Sequence, residues 1–334
     1  MHSHNKTIFD TVSVDRKKIK WEEHLYDLTP FENHHGIWFK REDTFAPLGY
    51  GGPNGSKMRQ LIWYMNKNRK DKTHVVTGAS IQSPQLSMSA IVGAHYGLLS
   101  KQFVYTKPET LLRHPNPRVA AGFGAEFFAT PAGFNPNIQR EVRKASQGDS
   151  LVVHYGITTD HINEPEMTIG FHDIGANQVK NLPNEVETLI MPAGSCNSLT
   201  SVLLGLSRDS KNLKRLYTVG IGPDKTNWVR QRLEVLGVDL NKMDFKFQHH
   251  SLHDTGYSKY TDHFKGEVFD GIEFHTTYEA KIWRYLRTYN QIIPNGKTAF
   301  WIVGGIPSVS VISPHFTHDP NKFVFNRYER GEEC

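Results

Sequence analysis

The chain reads as an α/β protein of two domains, built on open, mainly parallel sheets flanked by helices. Three observations lead there. Short apolar runs alternate with longer amphipathic stretches, the rhythm of strand–helix–strand crossovers. At 334 residues the chain is too long for one small core and suits two domains of ordinary size. A glycine-rich stretch at 47–55 and a polar one at 156–165 then mark seams. They predict a smaller α/β domain over 60–158 inserted into a larger one made of 1–59 and 159–334.

The apolar runs place strands at 36–40, 74–78, 102–106, 125–129, 151–154, 188–192, 216–221, 245–248 and 299–303. Between them the helical periodicity predicts helices at 57–66, 85–96, 117–123, 136–145, 168–180, 198–206, 228–236 and 279–289. No internal repeat or low-complexity tract interrupts the pattern.

Hydrophobic residues make up 38% and charged residues 22%, which fits a packed, soluble body. No run approaches the ~18 apolar residues of a membrane span, and the start, MHSHNKTIFD, lacks the apolar stretch of a signal peptide. The two cysteines, Cys196 and Cys334, do not make a disulfide framework, so a reducing, cytoplasmic setting is expected. The net charge of +5 comes from short basic stretches at 15–20, 67–72 and 211–215. These read either as solvated helix ends and loops or as a footprint for a polyanion. Eighteen histidines are many, but His34-His35 and His249-His250 lack a Cys or carboxylate at ligand spacing, so no metal site is expected.

Four segments carry chemistry. Lys40-Arg-Glu-Asp43 closes an expected strand and is followed, after the glycine-rich loop, by Asn54-Gly-Ser-Lys-Met-Arg59. Lys57 thus opens a helix, where the macrodipole and burial both disfavour its protonated form. A lysine must lose its proton before it forms an imine, so the position suits a Schiff-base lysine. Taken alone, the plainer reading is a lysine in the first turn of a surface helix.

Met191-Pro-Ala-Gly-Ser-Cys-Asn-Ser198 runs from an apolar strand through a small polar turn into a helix. Such a turn offers backbone N–H groups and hydroxyls at the positive end of a helix, a cradle for phosphate. No Gly-Lys-Ser/Thr follows, so it is not a Walker loop. Thr77-Gly-Ala-Ser-Ile-Gln-Ser-Pro-Gln85 is another strand–turn–helix segment. Phe300-Trp-Ile-Val-Gly-Gly-Ile-Pro307 is a buried strand breaking at two glycines, where a flat ligand or a backbone can come close.

In this order the four segments resemble the fold-type-II (tryptophan synthase β-like) pyridoxal-phosphate (PLP) enzymes. Within them the likeness is greatest to 1-aminocyclopropane-1-carboxylate deaminase and D-cysteine desulfhydrase. Thr277-Tyr-Glu-Ala-Lys281 looks like that subgroup's Val-Tyr-Glu/Thr-Gly-Lys, and Gly256-Tyr257 like its Gly-Tyr. The resemblance covers roughly residues 37–310. It implies that Lys57 carries PLP and shuttles the α-proton, and that Gly194, Ser195, Cys196, Asn197 and Ser198 wrap the phosphate. It also implies that Glu279 faces the pyridine nitrogen, that Gly304 lies against the cofactor, and that Ser83, Tyr257 and Tyr278 line the substrate side. A homodimer is implied as well.

Two departures stand out. Where the deaminase pattern reads Gln-Ser-Asn-His, this chain reads Gln82-Ser-Pro-Gln85, and Pro84 brings neither a backbone N–H nor a polar side chain. Cys196-Asn197 replaces the usual Gly-Gly of the phosphate turn. PLP binding tolerates these changes; the inherited substrate does not follow. The expected function is therefore a PLP-dependent lyase or deaminase-like enzyme that forms a carbanion or quinonoid at Cα of an amino-acid-like substrate. An alternative is a phage DNA-hypermodification enzyme, in the host cytoplasm, acting for example by decarboxylation on an amino acid attached to a thymine base. A second alternative is a non-catalytic protein that keeps the fold, against which the retention of Lys57 and Glu279 argues.

Overall fold

The computed structural model describes residues 6–11, 19–157, 165–259 and 262–327. Most of the basic stretch at 15–20, most of the seam at 156–165, and Cys334 lie outside them. The strands are β1 (Phe31–His34), β2 (Ile37–Arg41), β3 (His74–Gly78), β4 (Leu99–Val104), β5 (Glu126–Ala129), β6 (Ser150–Val153) and β7 (Thr188–Ala193). They continue with β8 (Arg215–Gly220), β9 (Lys246–Ser251), β10 (Val268–Phe269), β11 (Ile272–Glu273), β12 (Thr298–Ile302) and β13 (Phe325–Arg327). The helices are α1 (Ser56–Asn68), α2 (Pro84–His95), α3 (Pro108–Leu111), α4 (Pro115–Gly122) and α5 (Asn135–Ala145). After them come α6 (Pro165–Ala176), α7 (Asn197–Arg208), α8 (Thr226–Val235), α9 (Glu279–Thr288) and α10 (Val309–Ile312).

One compact unit comprises Met1–Tyr50, Asn54–Gln60 and Asp160–Ile306. Its six-stranded sheet has the order β1-β2-β12-β7-β8-β9, parallel except for the β1–β2 hairpin. Parallel strands need cover on both faces, and both are covered. On one side Leu199, Val202 and Leu203 of α7 with Val229 and Leu233 of α8 pack on Leu189, Met191, Leu216 and Trp301. On the other, Ile282, Trp283 and Leu286 of α9 pack with Phe274 on Phe39, Ile190, Val219 and Phe300.

The second unit comprises Gly51–Pro53, Leu61–Thr159 and Pro307–Cys334. Its sheet has the order β13-β5-β4-β3-β6 and is parallel throughout. Leu86, Ala90 and Ala120 cover one face with Val104 and Phe127, while Ile138 and Val142 of α5 cover the other with Val76 and Phe103.

The assignment of the whole of 159–334 to the larger domain is corrected here. Residues 307–334 group with the smaller unit, where β13 adds to β5 and Phe323 lies edge-on to Phe127, ring centroids 6.1 Å apart. Too short to show alternation, that strand gives no pattern of its own. Two further shifts are local. The strand expected at 102–106 starts at Leu99, and β1, rich in polar residues, was not anticipated. Among the described residues no helix is long and apolar enough to cross a membrane.

Candidate active site

Lys57 lies in the first turn of α1, and the chain around it is braced from below. Gly55 has φ +90°, and a Cβ there would meet the Val303 carbonyl oxygen at 2.2 Å and the Gly304 Cα at 2.8 Å. Only glycine lets the loop come this close. The next N–H, that of Ser56, donates to the Val303 carbonyl at 3.0 Å. Buried Glu42 accepts from Ser56 Oγ at 3.1 Å and Thr29 Oγ1 at 2.6 Å, with Arg59 Nε 3.6 Å away. Arg41 grips Asp43 through two bonds of 2.9 and 2.7 Å. Lys40 donates to the Thr29 carbonyl and to Asn181 Oδ1, both at 2.8 Å. Lys-Arg-Glu-Asp is thus a buried brace for the lysine helix. Burial first, then repulsion from Lys225, lowers the Lys57 amine to about 8, with Glu279 pulling the other way.

Glu279 opens α9 and is fully buried. Its Oε1 accepts the Val303 N–H at 3.1 Å, while Oε2 is buried with no hydrogen-bond partner. Burial raises the carboxyl to about 8, against the pull of backbone N–H groups that include those of Val303 and Gly304. Gly305 donates to Asn54 Oδ1 at 2.7 Å, tying the glycine pair to the loop before Lys57.

The turn after β7 has the geometry of an anion cradle. Cys196, at the N-cap of α7, has φ +70°, a left-handed conformation of the kind that occurs in anion-binding backbone turns. Gly194, Ser195 and Ser198 are partly exposed, whereas Cys196 and Asn197 are buried. Burial pushes the Cys196 thiol up to about 11, so it stays neutral and unreactive. Tyr278 closes this side, its Cε1 3.9 Å from where a Gly194 Cβ would sit.

Two further predicted residues have these surroundings. Tyr257 packs on Tyr285 and Tyr289, ring centroids 5.1 and 6.2 Å away, beside the second half of α9 and not its Glu279 end. Ser83 belongs to the second unit and caps α2, its Oγ accepting from the Gln85 N–H at 3.3 Å. Pro84 is the first residue of that helix, where a missing N–H costs nothing. Gln85 donates to Thr77 Oγ1 and to the Val153 and His154 carbonyls, and accepts from the Gly156 N–H. Its amide is spent on holding the ends of β3 and β6.

Two residues were missed. His275 is buried, its Nδ1 accepting from the Thr277 N–H at 3.2 Å and its ring centroid 4.6 Å from that of Tyr278. Burial first, then the charge of Lys57, drives it down to about 3, so its ring is neutral with the hydrogen on Nε2. Lys225, just before α8, is the other. Nothing in the local pattern marks His275. Lys225 was findable, because ligand sites gather at the carboxyl ends of parallel strands.

No protein-family model matches the chain. The O-seryl-dTMP PLP-dependent decarboxylase of Salmonella phage ViI is 34% identical over 372 aligned positions, 91% of this chain and 88% of that protein. The chain belongs to this family of PLP-dependent enzymes. Solved structures place it in fold type II. A 1-aminocyclopropane-1-carboxylate deaminase homologue has a TM-score of 0.64 at 18% identity, covering 88% of this enzyme and 98% of that chain. The O-acetylserine-dependent cystathionine β-synthase of Helicobacter pylori has 0.56 at 15%, covering 87% and 96%. At such identities these likenesses speak for the fold of the enzyme and not for its substrate.

Proposed function

We propose that the enzyme removes the α-carboxylate, as CO2, from an amino acid carried on a thymine nucleotide, with Lys57 as the cofactor lysine. The observation that carries this reading is the relative 34% identical over nearly the whole chain, whose name is that of a decarboxylase of O-seryl-dTMP. Amino-acid-like chemistry at Cα, the leading expectation from sequence, is common to this reading and to a deaminase.

The residues of the first unit fit PLP. Buried Glu279 Oε2 lacks a partner, and a protonated pyridine nitrogen is the partner a carboxylate in that setting wants. The 194–198 turn offers N–H groups and two hydroxyls to the phosphate. Bound there, the cofactor supplies an electron sink for chemistry at Cα.

The rest falls to the chain's own groups. With its amine lowered to about 8, Lys57 Nζ is available near neutral pH to bind the cofactor's aldehyde carbon. A protonated ring nitrogen set against Glu279 would hold this carboxyl ionised despite its burial, and the carboxylate would in turn keep the proton on that nitrogen. The Cα–carboxylate bond breaks, CO2 departs, and the electron pair left on Cα takes one proton. Lys57 Nζ would hold that proton and give it up at Cα. From a seryl group the product is a 2-aminoethyl ether.

The test is direct. Carboxyl-labelled seryl-dTMP, free and within DNA, is compared with free serine and other amino acids. Labelled CO2 from the nucleotide-borne group, with a product lighter by CO2, is the expected result. Ammonia and a keto acid from free amino acids, with the nucleotide untouched, would overturn the reading.

A further inference from the structure

The loop after β8 runs beside the phosphate turn. Strands β7 and β8 pair in register, Ala193 opposite Gly220, and the Ile221 N–H extends the ladder to the Ala193 carbonyl at 3.2 Å. Ile221 Cδ1 lies 4.0 Å from where a Gly194 Cβ would sit. Residues 221–225 thus leave the sheet abreast of Gly194. The loop is pinned along its length. The Gly222 carbonyl accepts from Ser251 Oγ at 2.8 Å, and the Asp224 N–H donates to Asp254 Oδ2 at 2.9 Å. Asp224 Oδ1 accepts from the Thr226 N–H and hydroxyl at 2.7 and 2.6 Å, which turns this carboxylate toward α8. Partly buried Lys225 follows, and its charge lowers both the Cys196 thiol and the Lys57 amine. One ammonium therefore acts on both the turn and the cofactor lysine.

The turn itself is short of positive charge. A phosphate monoester brings about −1.5 to −2 charges at neutral pH. The end of α7 offers about half a charge in return, and the turn's own donors are neutral N–H groups and the hydroxyls of Ser195 and Ser198.

We propose that Lys225 is a ligand of the cofactor's phosphate, completing the 194–198 turn with a full positive charge. The inference rests on the reading of that turn as the phosphate site. It also accounts for a turn built without the usual glycine pair. A cation at its rim adds attraction that Cys196 and Asn197 do not.

The test titrates the cofactor-free enzyme with PLP and with pyridoxal, which lacks the phosphate, following the visible absorbance of the bound form. For Lys225→Gln, PLP affinity should fall roughly ten- to a hundredfold, as for loss of a charge-assisted hydrogen bond. Pyridoxal affinity should fall much less than PLP affinity, only as far as the Lys57 amine rises once the charge of Lys225 is gone, and Lys225→Arg should recover most of the loss. Equal weakening of both ligands would overturn the proposal, leaving a structural role or one exerted through Lys57. Unchanged PLP affinity would overturn it too. The double variant Ser195→Ala/Ser198→Ala separates the two levels. If it weakens PLP but not pyridoxal while Lys225→Gln changes neither, the turn stands and the lysine is rejected. If neither variant alters the preference for PLP over pyridoxal, the phosphate site itself is elsewhere.

Discussion

Glu279 is tied to Val303 through the main chain: the Val303 N–H donates to Oε1 at 3.1 Å, and the carbonyl of the same residue accepts from the Ser56 N–H at 3.0 Å. The residue proposed to face the cofactor's ring nitrogen and the helix that carries Lys57 therefore hang from one short piece of backbone. Four expectations follow from this and its surroundings.

Glu279 makes the cofactor-free protein sensitive to pH. Its carboxyl titrates near 8 in the fold and near 4.5 in an unfolded chain. The raised folded value means that its contribution is fully present below about 4.5 and is lost as pH rises toward 8. Glu279→Gln removes that dependence. Thermal unfolding of the two cofactor-free proteins should diverge over this window, the wild type losing ground with rising pH. The variant should still bind PLP and release CO2 far more slowly. Parallel pH curves would mean that the Glu279 carboxyl is not buried in solution.

Lys57 should capture the cofactor with a pH dependence centred near 8 instead of 10.5. The amine reacts only when neutral. Stopped-flow mixing of cofactor-free enzyme with PLP across this range gives the profile directly. Lys57→Ala should show no visible cofactor absorbance and no borohydride-fixed label, with the fold intact by circular dichroism. Labelling at Lys281 would move the assignment.

Gly55→Ala should be costly in a way that Gly97→Ala is not. Both glycines have positive φ, but only at Gly55 does a Cβ collide with backbone, 2.2 Å from the Val303 oxygen; at Gly97 nothing lies within 4 Å. The open position should lose about 1–2 kcal/mol from conformation alone. Gly55→Ala should lose on the order of 3 kcal/mol or more, and weaken PLP binding with it. Denaturant titration and PLP titration of both variants settle the comparison.

Binding to a DNA-borne substrate should depend on salt, log affinity falling about 0.9 per phosphate contact for each tenfold rise. The basic stretches are not equivalent. Lys67 and Lys70 are exposed, while Arg69 lies 4.7 Å over the ring of Tyr96. Lys211 is paired with Asp209 at 2.7 Å and Lys214 with Glu187 at 2.8 Å, so that stretch is partly neutralised. Charge reversal at Lys67 and Lys70 should weaken DNA binding and flatten the salt slope. Reversal at Lys214 should instead break its exposed pairing with Glu187 and lower stability only slightly, with little change in slope. Fluorescence anisotropy at several salt concentrations distinguishes these outcomes.

Much of this was legible in the residues. Strand β3 was placed at its observed bounds because Val75 and Val76 form a clear apolar run closed by Gly78. The helix opened by Glu279, expected over 279–289, runs Glu279–Thr288 because its apolar periodicity is clear. Other features leave no local trace. Strand β13 exists because a partner edge is there, and β1 because a two-residue turn at His35-Gly36 folds a polar segment back on β2. An aromatic beside a glycine, such as Tyr257, looks the same in sequence whether it faces a substrate or packs on Tyr285. His275 and Lys225 gain much of their meaning from Lys57, more than one hundred residues away in the chain.

The double attachment at Val303 has a consequence for sequence drift. Both hydrogen bonds come from the main chain and neither from the side chain, so other apolar residues that keep the packing of Val303 on the core can stand here without disturbing them. Proline alone removes the donor. Relatives can therefore share this support while showing no common letter there, and a search for shared side chains would pass over it.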